Sequence, residues 1–194
     1  MPFQINGQSM YASYYDKEFI MVDRLSHRDI PLIGQMDEMQ RGDVVIFAPG
    51  VSKERKYFIK RVIALPGETL KIENGRVYIK ELGQEEFYEL DESWYLTVEN
   101  NFNTYVGADD EVHIYQIPEN RYFVMWDNRL HSTDSRTCFQ TCSVRWNYIS
   151  PEEITGRIFL DLGYFDFSSF SFVHPEYGTP TIPKFFSSLA EYSY

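Results

Sequence analysis

Residues 57–79 read Tyr57-Phe58-Ile59-Lys60-Arg61-Val62-Ile63-Ala64-Leu65-Pro66-Gly67-Glu68-Thr69-Leu70-Lys71-Ile72-Glu73-Asn74-Gly75-Arg76-Val77-Tyr78-Ile79, and this stretch decides the fold class. Its first half is a β-type apolar run that stops at Pro66-Gly67, a pair that punctuates strands. Its second half is a hairpin. Asn74-Gly75 supplies the two positive-φ positions of a type I′ turn, and apolar residues alternate with polar ones on both arms. The period of two also sorts the side chains: Lys60 shares a face with Phe58 and Val62, while Arg61 points the other way with Ile59 and Ile63. An ionisable amine is thus set on an apolar strand face.

The same signature extends outward. Glu18-Phe19-Ile20-Met21-Val22-Asp23 and Asp43-Val44-Val45-Ile46-Phe47-Ala48 are short apolar runs bounded by turn residues. Further strands are expected from Ile117 to Met125 and at Arg157-Ile158-Phe159-Leu160. Ser150-Pro151-Glu152-Glu153 carries the marks of a helix start, and Gly156 limits it to a single turn. From about 81 to 116 the chain turns acidic and mixed, with Trp94, Phe102 and Tyr105 but weak periodicity. We read 81–116 as an inserted, cap-like sub-domain in a mainly β core made of 1–80 and 117–194. In the tail, Phe165, Phe167, Phe170 and Phe172 are expected to pack against the sheet, with a membrane-dipping apolar edge as the alternative.

Composition removes several function classes. A chain of 194 residues fits one domain, with or without an inserted unit. A net charge of −11, from 18 basic and 29 acidic residues, argues against a nucleic-acid surface, and no basic cluster reverses that. His27, His113, His131 and His174 lack zinc spacing, and Cys138-Phe139-Gln140-Thr141-Cys142 alone is a weak metal site. The two cysteines are either free thiols or a local disulfide of an oxidising compartment. No phosphate-binding glycine loop is present, so no cofactor or metal is expected. No stretch reaches the roughly 18–20 apolar residues needed to span a bilayer.

Three segments carry the chemistry. Gly7-Gln8-Ser9-Met10 offers a hydroxyl nucleophile, with Gly7 permitting a tight backbone path and close approach of a substrate chain. A serine hydroxyl needs a base within hydrogen-bond reach. Lys60 is that candidate base. Bringing an amine from ~10.4 to a value near 7–8 costs roughly 3–4 kcal/mol, and burial on an apolar face supplies it. The third segment is Asp127-Asn128-Arg129-Leu130-His131-Ser132-Thr133-Asp134-Ser135-Arg136. Here Ser132 can hold the Lys60 amine, and Asp134 with Arg136, or Asp127 with a neighbouring cation, can brace the loop.

In this order and wording the segments resemble the type I signal peptidases, the Ser/Lys serine proteases that remove signal peptides from exported proteins. Ile5-Asn6-Gly7-Gln8-Ser9-Met10 is similar to the segment around their nucleophile. Ile59-Lys60-Arg61-Val62-Ile63-Ala64-Leu65-Pro66-Gly67-Glu68 is similar to the segment of their general base. Asp127-Asn128-Arg129, Ser132 and Asp134-Ser135-Arg136 match the loop that orients the lysine and braces the site. Arg41-Gly42-Asp43-Val44-Val45 and Ile154-Thr155-Gly156-Arg157 are further landmarks. The chain departs from the family at Ala12-Ser13, where Pro-Thr is usual, and at Trp126, where the family has glycine.

The resemblance implies a coiled antiparallel β-sheet catalytic core with an inserted cap and few short helices. It implies Ser9 as nucleophile, Lys60 as base, and Ser132, Asp127, Arg129, Asp134 and Arg136 as orienting and bracing residues. Gly7, Gln8, Met10 and Trp126 become candidates for the substrate cleft. The partners would be preprotein signal peptides bound as an extended strand. It further implies membrane-spanning helices just upstream of the serine, and so an anchor at the extracytoplasmic face of a bacterial plasma membrane. Two rival readings stand beside it: a signal-peptidase-like binding factor with a decayed site, and a self-cleaving repressor, which would need a DNA-binding region upstream of Ser9.

Overall fold

A computed structural model describes residues 1–11, 13–25, 29–30, 34–35, 38–48, 56–107, 111–130, 133–140, 146–174, 177–179 and 184–185. The protein is mainly β. The paired strands run antiparallel, and short 3-10 segments occur at Ser135–Gln140 and Pro151–Glu153. Among the described residues, no helix is long and apolar enough to cross a membrane.

The larger sheet runs in the order Pro2–Gln4, Phe19–Asp23, Ile154–Asp166, Val44–Phe47, Phe58–Ala64, Phe123–Met125. From Lys60 to Ala64 every residue of the Phe58–Ala64 strand is buried, which is why that segment reads as an almost unbroken apolar run. The smaller sheet is built on the Asn74-Gly75 hairpin. Its strands are ordered His113–Gln116, Thr69–Glu73, Arg76–Lys80, Tyr88–Glu89. Asn74 and Gly75 have φ of 53° and 74°, as the type I′ turn requires. On the hairpin, Leu70, Ile72, Val77 and Ile79 point into a core shared with Ile63, Ala64, Phe123 and Met125. The two sheets are thereby joined at the strand that carries Lys60.

Residues 81–116 contribute the two outer strands of the smaller sheet and a turn-rich stretch between them. That stretch is seated on the hairpin turn: Thr104 N donates to Gly75 O at 3.0 Å, and a Cβ on Gly75 would lie 2.0 Å from Phe102 O. Glycine at 75 is therefore needed for its φ and for the close approach.

Two strands differ from expectation. Between Ile117 and Met125 only Phe123–Met125 is a strand. Pro118 has no N–H to give a ladder, and the chain turns there, with Arg121 N bonded to Pro118 O. The last long strand runs from Ile154 to Asp166, through Gly156. Gly156 does not end an element; it lets two strands meet, since a Cβ there would lie 2.0 Å from Asp23 O. Irregular register at three points along this strand lets it pair with Val44–Phe47 at one end and Phe19–Asp23 further on. Beyond it, the Phe167, Phe170 and Phe172 rings gather around Phe165 at 5.0–5.3 Å, leaving Phe167 and Phe170 largely exposed instead of packed on the sheet.

Candidate active site

Ser9 lies in a turn fixed at both ends. Before it, Gly7 adopts φ +106°, which side-chain-bearing residues avoid, and its N–H donates to Asp16 Oδ1 at 2.7 Å. After it, Met10 is 1% exposed and packs with Ile5, Tyr14, Ile20 and Val22. Gln8 is exposed and Ser9 half-buried. Asn128 reaches this turn from the Asp127 loop. Its N–H donates to Ser9 O at 3.0 Å and its side-chain amide to Gln8 O at 3.3 Å.

Lys60 is 1% exposed. Its Nζ donates to the carbonyl of Ile59 at 2.8 Å and lies 4.5 Å from the centre of the Trp126 ring and 5.4 Å from that of Phe58. Burial pushes the amine down to about 7, against the pull of the Asp134 and Asp127 carboxylates. No hydrogen bond joins Lys60 Nζ to Ser9 Oγ in this arrangement. The two residues are linked through the loop: Trp126 sits on Lys60, and Asn128 holds Ser9.

Between those two loop residues, Asp127 meets Arg61. Arg61 Nε and Nη2 donate to the two carboxylate oxygens at 2.9 and 2.7 Å, and both side chains are buried. The Arg61 guanidinium also donates to Gly42 O at 2.7 Å and Ser13 Oγ at 3.2 Å, and stacks over Tyr95 at 4.2 Å. This gives Asp127 the cation that its sequence neighbourhood left unnamed. A signal for it was present, because an arginine inside an apolar strand must be paired to stay there.

Asp134 and Arg136 form a pair with three side-chain contacts of 2.8–3.3 Å. Asp134 also accepts from Trp126 N at 3.2 Å, and Ser135 Oγ accepts from Val124 N at 3.0 Å, so the loop is fastened back to the strand before it. Arg129 faces the other way. It donates to Glu92 at 2.5 and 3.1 Å, to Thr104 Oγ1 at 2.8 Å and to Tyr95 OH at 3.1 Å, while its own N–H donates to Asn100 Oδ1 at 2.6 Å. Residues 92–104 are thus tied to the loop through buried polar groups. Nothing in their weak periodicity had marked Glu92, Tyr95, Asn100 or Thr104 as partners.

A second buried pair supports the strand from below. Arg41 donates to both Glu68 oxygens at 2.9 and 2.7 Å, and Glu68 accepts from Leu65 N at 2.7 Å, which closes the Pro66-Gly67 turn. Ser132, Ala12 and Cys142 lie outside the described residues. Cys138 is disulfide-bonded, so the free-thiol reading does not hold for it. No group of three or more metal-ligating side chains occurs among the described residues.

The sequence profile of the family described as "Signal peptidase, peptidase S26" matches residues 1–162. Signal peptidase I U of Bacillus subtilis is 36% identical over 135 residues, covering 70% of this chain and 64% of its own length. Signal peptidase I S of the same organism is 33% identical over 138 residues, covering 70% and 65%. The matched part therefore spans less than two-thirds of either relative. A crystal structure of a signal peptidase I from Enterococcus faecalis aligns with a TM-score of 0.44 at 23% identity, covering 62% of this chain and 97% of that one. By the profile match and these identities, the chain belongs to the signal peptidase S26 family.

Proposed function

We propose that the protein is a serine endopeptidase that removes N-terminal signal peptides from exported preproteins, using Ser9 as nucleophile and Lys60 as general base. One observation carries this reading: three consecutive loop residues, Trp126, Asp127 and Asn128, contact Lys60, Arg61 and Ser9 respectively. One loop thus touches both the candidate base and the turn of the candidate nucleophile. Burial lowers the amine to about 7, so a large share of Lys60 is neutral at the pH where it must take a proton.

Neutral Lys60 takes the Ser9 proton as Ser9 Oγ attacks the scissile carbonyl. The Ser9 N–H donates to the developing oxyanion. The amine nitrogen of the mature protein leaves with the proton now on Lys60. Water, deprotonated by the same lysine, then releases the signal peptide from Ser9. In this reading Ser132 orients the amine, and Arg129, Asp134 and Arg136 keep the loop in place, with 81–116 as a cap beside it. Substrate adds as an extended strand, its small side chains entering the cleft bordered by Gly7, Gln8 and Trp126.

The site would face the extracytoplasmic side of a bacterial membrane, where the Cys138 disulfide is at home. Family membership and the buried charge pairs favour this reading over a decayed binding factor or a self-cleaving repressor. Incubation with a purified preprotein tests it. Cleavage at one site after a small residue is expected, lost in Ser9→Ala and in Lys60→Ala. Unchanged cleavage by either variant, once shown to be folded, sinks the assignment.

A further inference from the structure

Trp126 has surroundings that are unusual in three respects. The indole face lies 4.5 Å from Lys60 Nζ. The amine beneath it is 1% exposed and donates to the adjacent Ile59 carbonyl, with no bond to Ser9. The indole Nε1–H is itself buried and makes no hydrogen bond among the described residues. The indole N–H thus takes no part in holding the ring, whose face lies on the amine.

These features describe a closed arrangement. The tryptophan face attracts the protonated amine by a factor of up to roughly 30, working against the burial that leaves Lys60 partly neutral near pH 7. An unpaired, buried N–H opposes the same placement by a comparable factor. The two act in opposite directions, so the buried N–H lowers the cost of moving the ring off the amine. An entering peptide strand brings carbonyl groups, and the indole N–H that leaves its buried position meets acceptors there and in water.

Resting on the Ser9/Lys60 reading, we propose that Trp126 is a positioning residue for the reaction: its indole holds the Lys60 amine against the Ile59 carbonyl in the free protein, and an entering peptide displaces the ring so that the amine turns to Ser9. No bond is made or broken by Trp126. It sets where the base rests and when it is released, a constraint that glycine at this position cannot impose.

Reaction of Lys60 with a small amine-modifying reagent, followed by peptide mass mapping, tests this without relying on turnover. In the parent, Lys60 should react far more slowly than Lys71 and Lys80 of the same sample. Trp126→Gly should raise the Lys60 rate at least ~10-fold while those two controls stay constant, and Trp126→Phe, which keeps a ring face, should leave Lys60 protected. A non-cleavable peptide, bound to Ser9→Ala, should raise the rate in the parent ring background as well. Equal Lys60 rates in the parent and a folded Trp126→Gly protein, or protection that increases with peptide, overturn the proposal. If Trp126→Gly fails to fold, the peptide arm decides alone. Preprotein cleavage by Lys60→Ala, measured in parallel, separates failure of the dyad reading from failure of this one. With the dyad intact, kcat/KM should rise several-fold in Trp126→Gly, and the Trp126→Phe protein should be no faster than the parent.

Discussion

Arg61 and Asp127, 66 residues apart in sequence, meet in a two-point ion pair with contacts of 2.9 and 2.7 Å and almost no solvent exposure on either side chain. Because Arg61 follows Lys60 on one strand and Asp127 lies between Trp126 and Asn128, this pair ties the strand of the proposed base to the loop that bonds the Ser9 turn. Removing one member leaves a buried charge without its partner.

Asp127→Ala should therefore destabilise the protein by about 3–5 kcal/mol. For a chain of this size that is a fall in Tm of roughly 6–20 °C, readable by calorimetry. Activity should fall more steeply than the folded fraction, since the loop that carries Trp126 and Asn128 loses its register. A drop within about 1 kcal/mol would show that the pair is not what fixes the loop.

Lys60 gives two pH dependences of defined sign. In the proposed role of base Lys60 would work unprotonated, so kcat/KM should climb with pH through an inflection near 7 and then level off. Stability follows the same group. Below about 7 the amine is charged in the folded and unfolded states alike, and the burial penalty is fully present. Between about 7 and the ordinary lysine value the unfolded chain binds more protons, so stability rises with pH by several kcal/mol. Lys60→Met should remove that rise and be more stable than the parent at pH 6, as denaturant midpoints measured across pH will show.

Arg129 ties residues 92–104 to the loop through Glu92, Thr104, Tyr95 and the Asn100 contact to its backbone. Arg129→Met should lower amide exchange protection in 92–104 by a factor of ten or more while leaving the Thr69–Lys80 hairpin protected. Its cost in stability should be about 3–5 kcal/mol, because Glu92 loses its buried partner.

Gly156→Ala should destabilise by about 1–3 kcal/mol, since the added methyl meets Asp23 O in the neighbouring strand. The effect belongs to the strand contact and not to the site, so a thermal melt should report it while the pH inflection of activity stays in place.

The parts of this molecule that sequence makes legible are those set by local geometry. Asn74-Gly75 announces its turn because only positive-φ residues close it. The opposite faces of Lys60 and Arg61 follow from strand period, and Asp134 and Arg136 are close enough in the chain to be read as a pair. Arg61–Asp127 and Arg129–Glu92 are not legible in that way. Each joins segments far apart in sequence, and charge alone does not say which partner a buried arginine finds. Residues 81–116 lack periodicity because much of their anchoring is polar, through Glu92, Asn100 and Thr104, and so leaves no apolar repeat. Gly156 reads as a stop for a different reason: close approach between strands and a chain break call for the same residue.

The central claim is that Ser9 forms a covalent intermediate under the control of Lys60. Acid quenching during turnover of a preprotein peptide, followed by intact-mass and fragment analysis, tests it most directly. The account predicts an acyl adduct confined to the Ser9 fragment, absent in Ser9→Ala and reduced by orders of magnitude in folded Lys60→Met. Undiminished adduct formation in Lys60→Met, or an adduct on a residue other than Ser9, would contradict it.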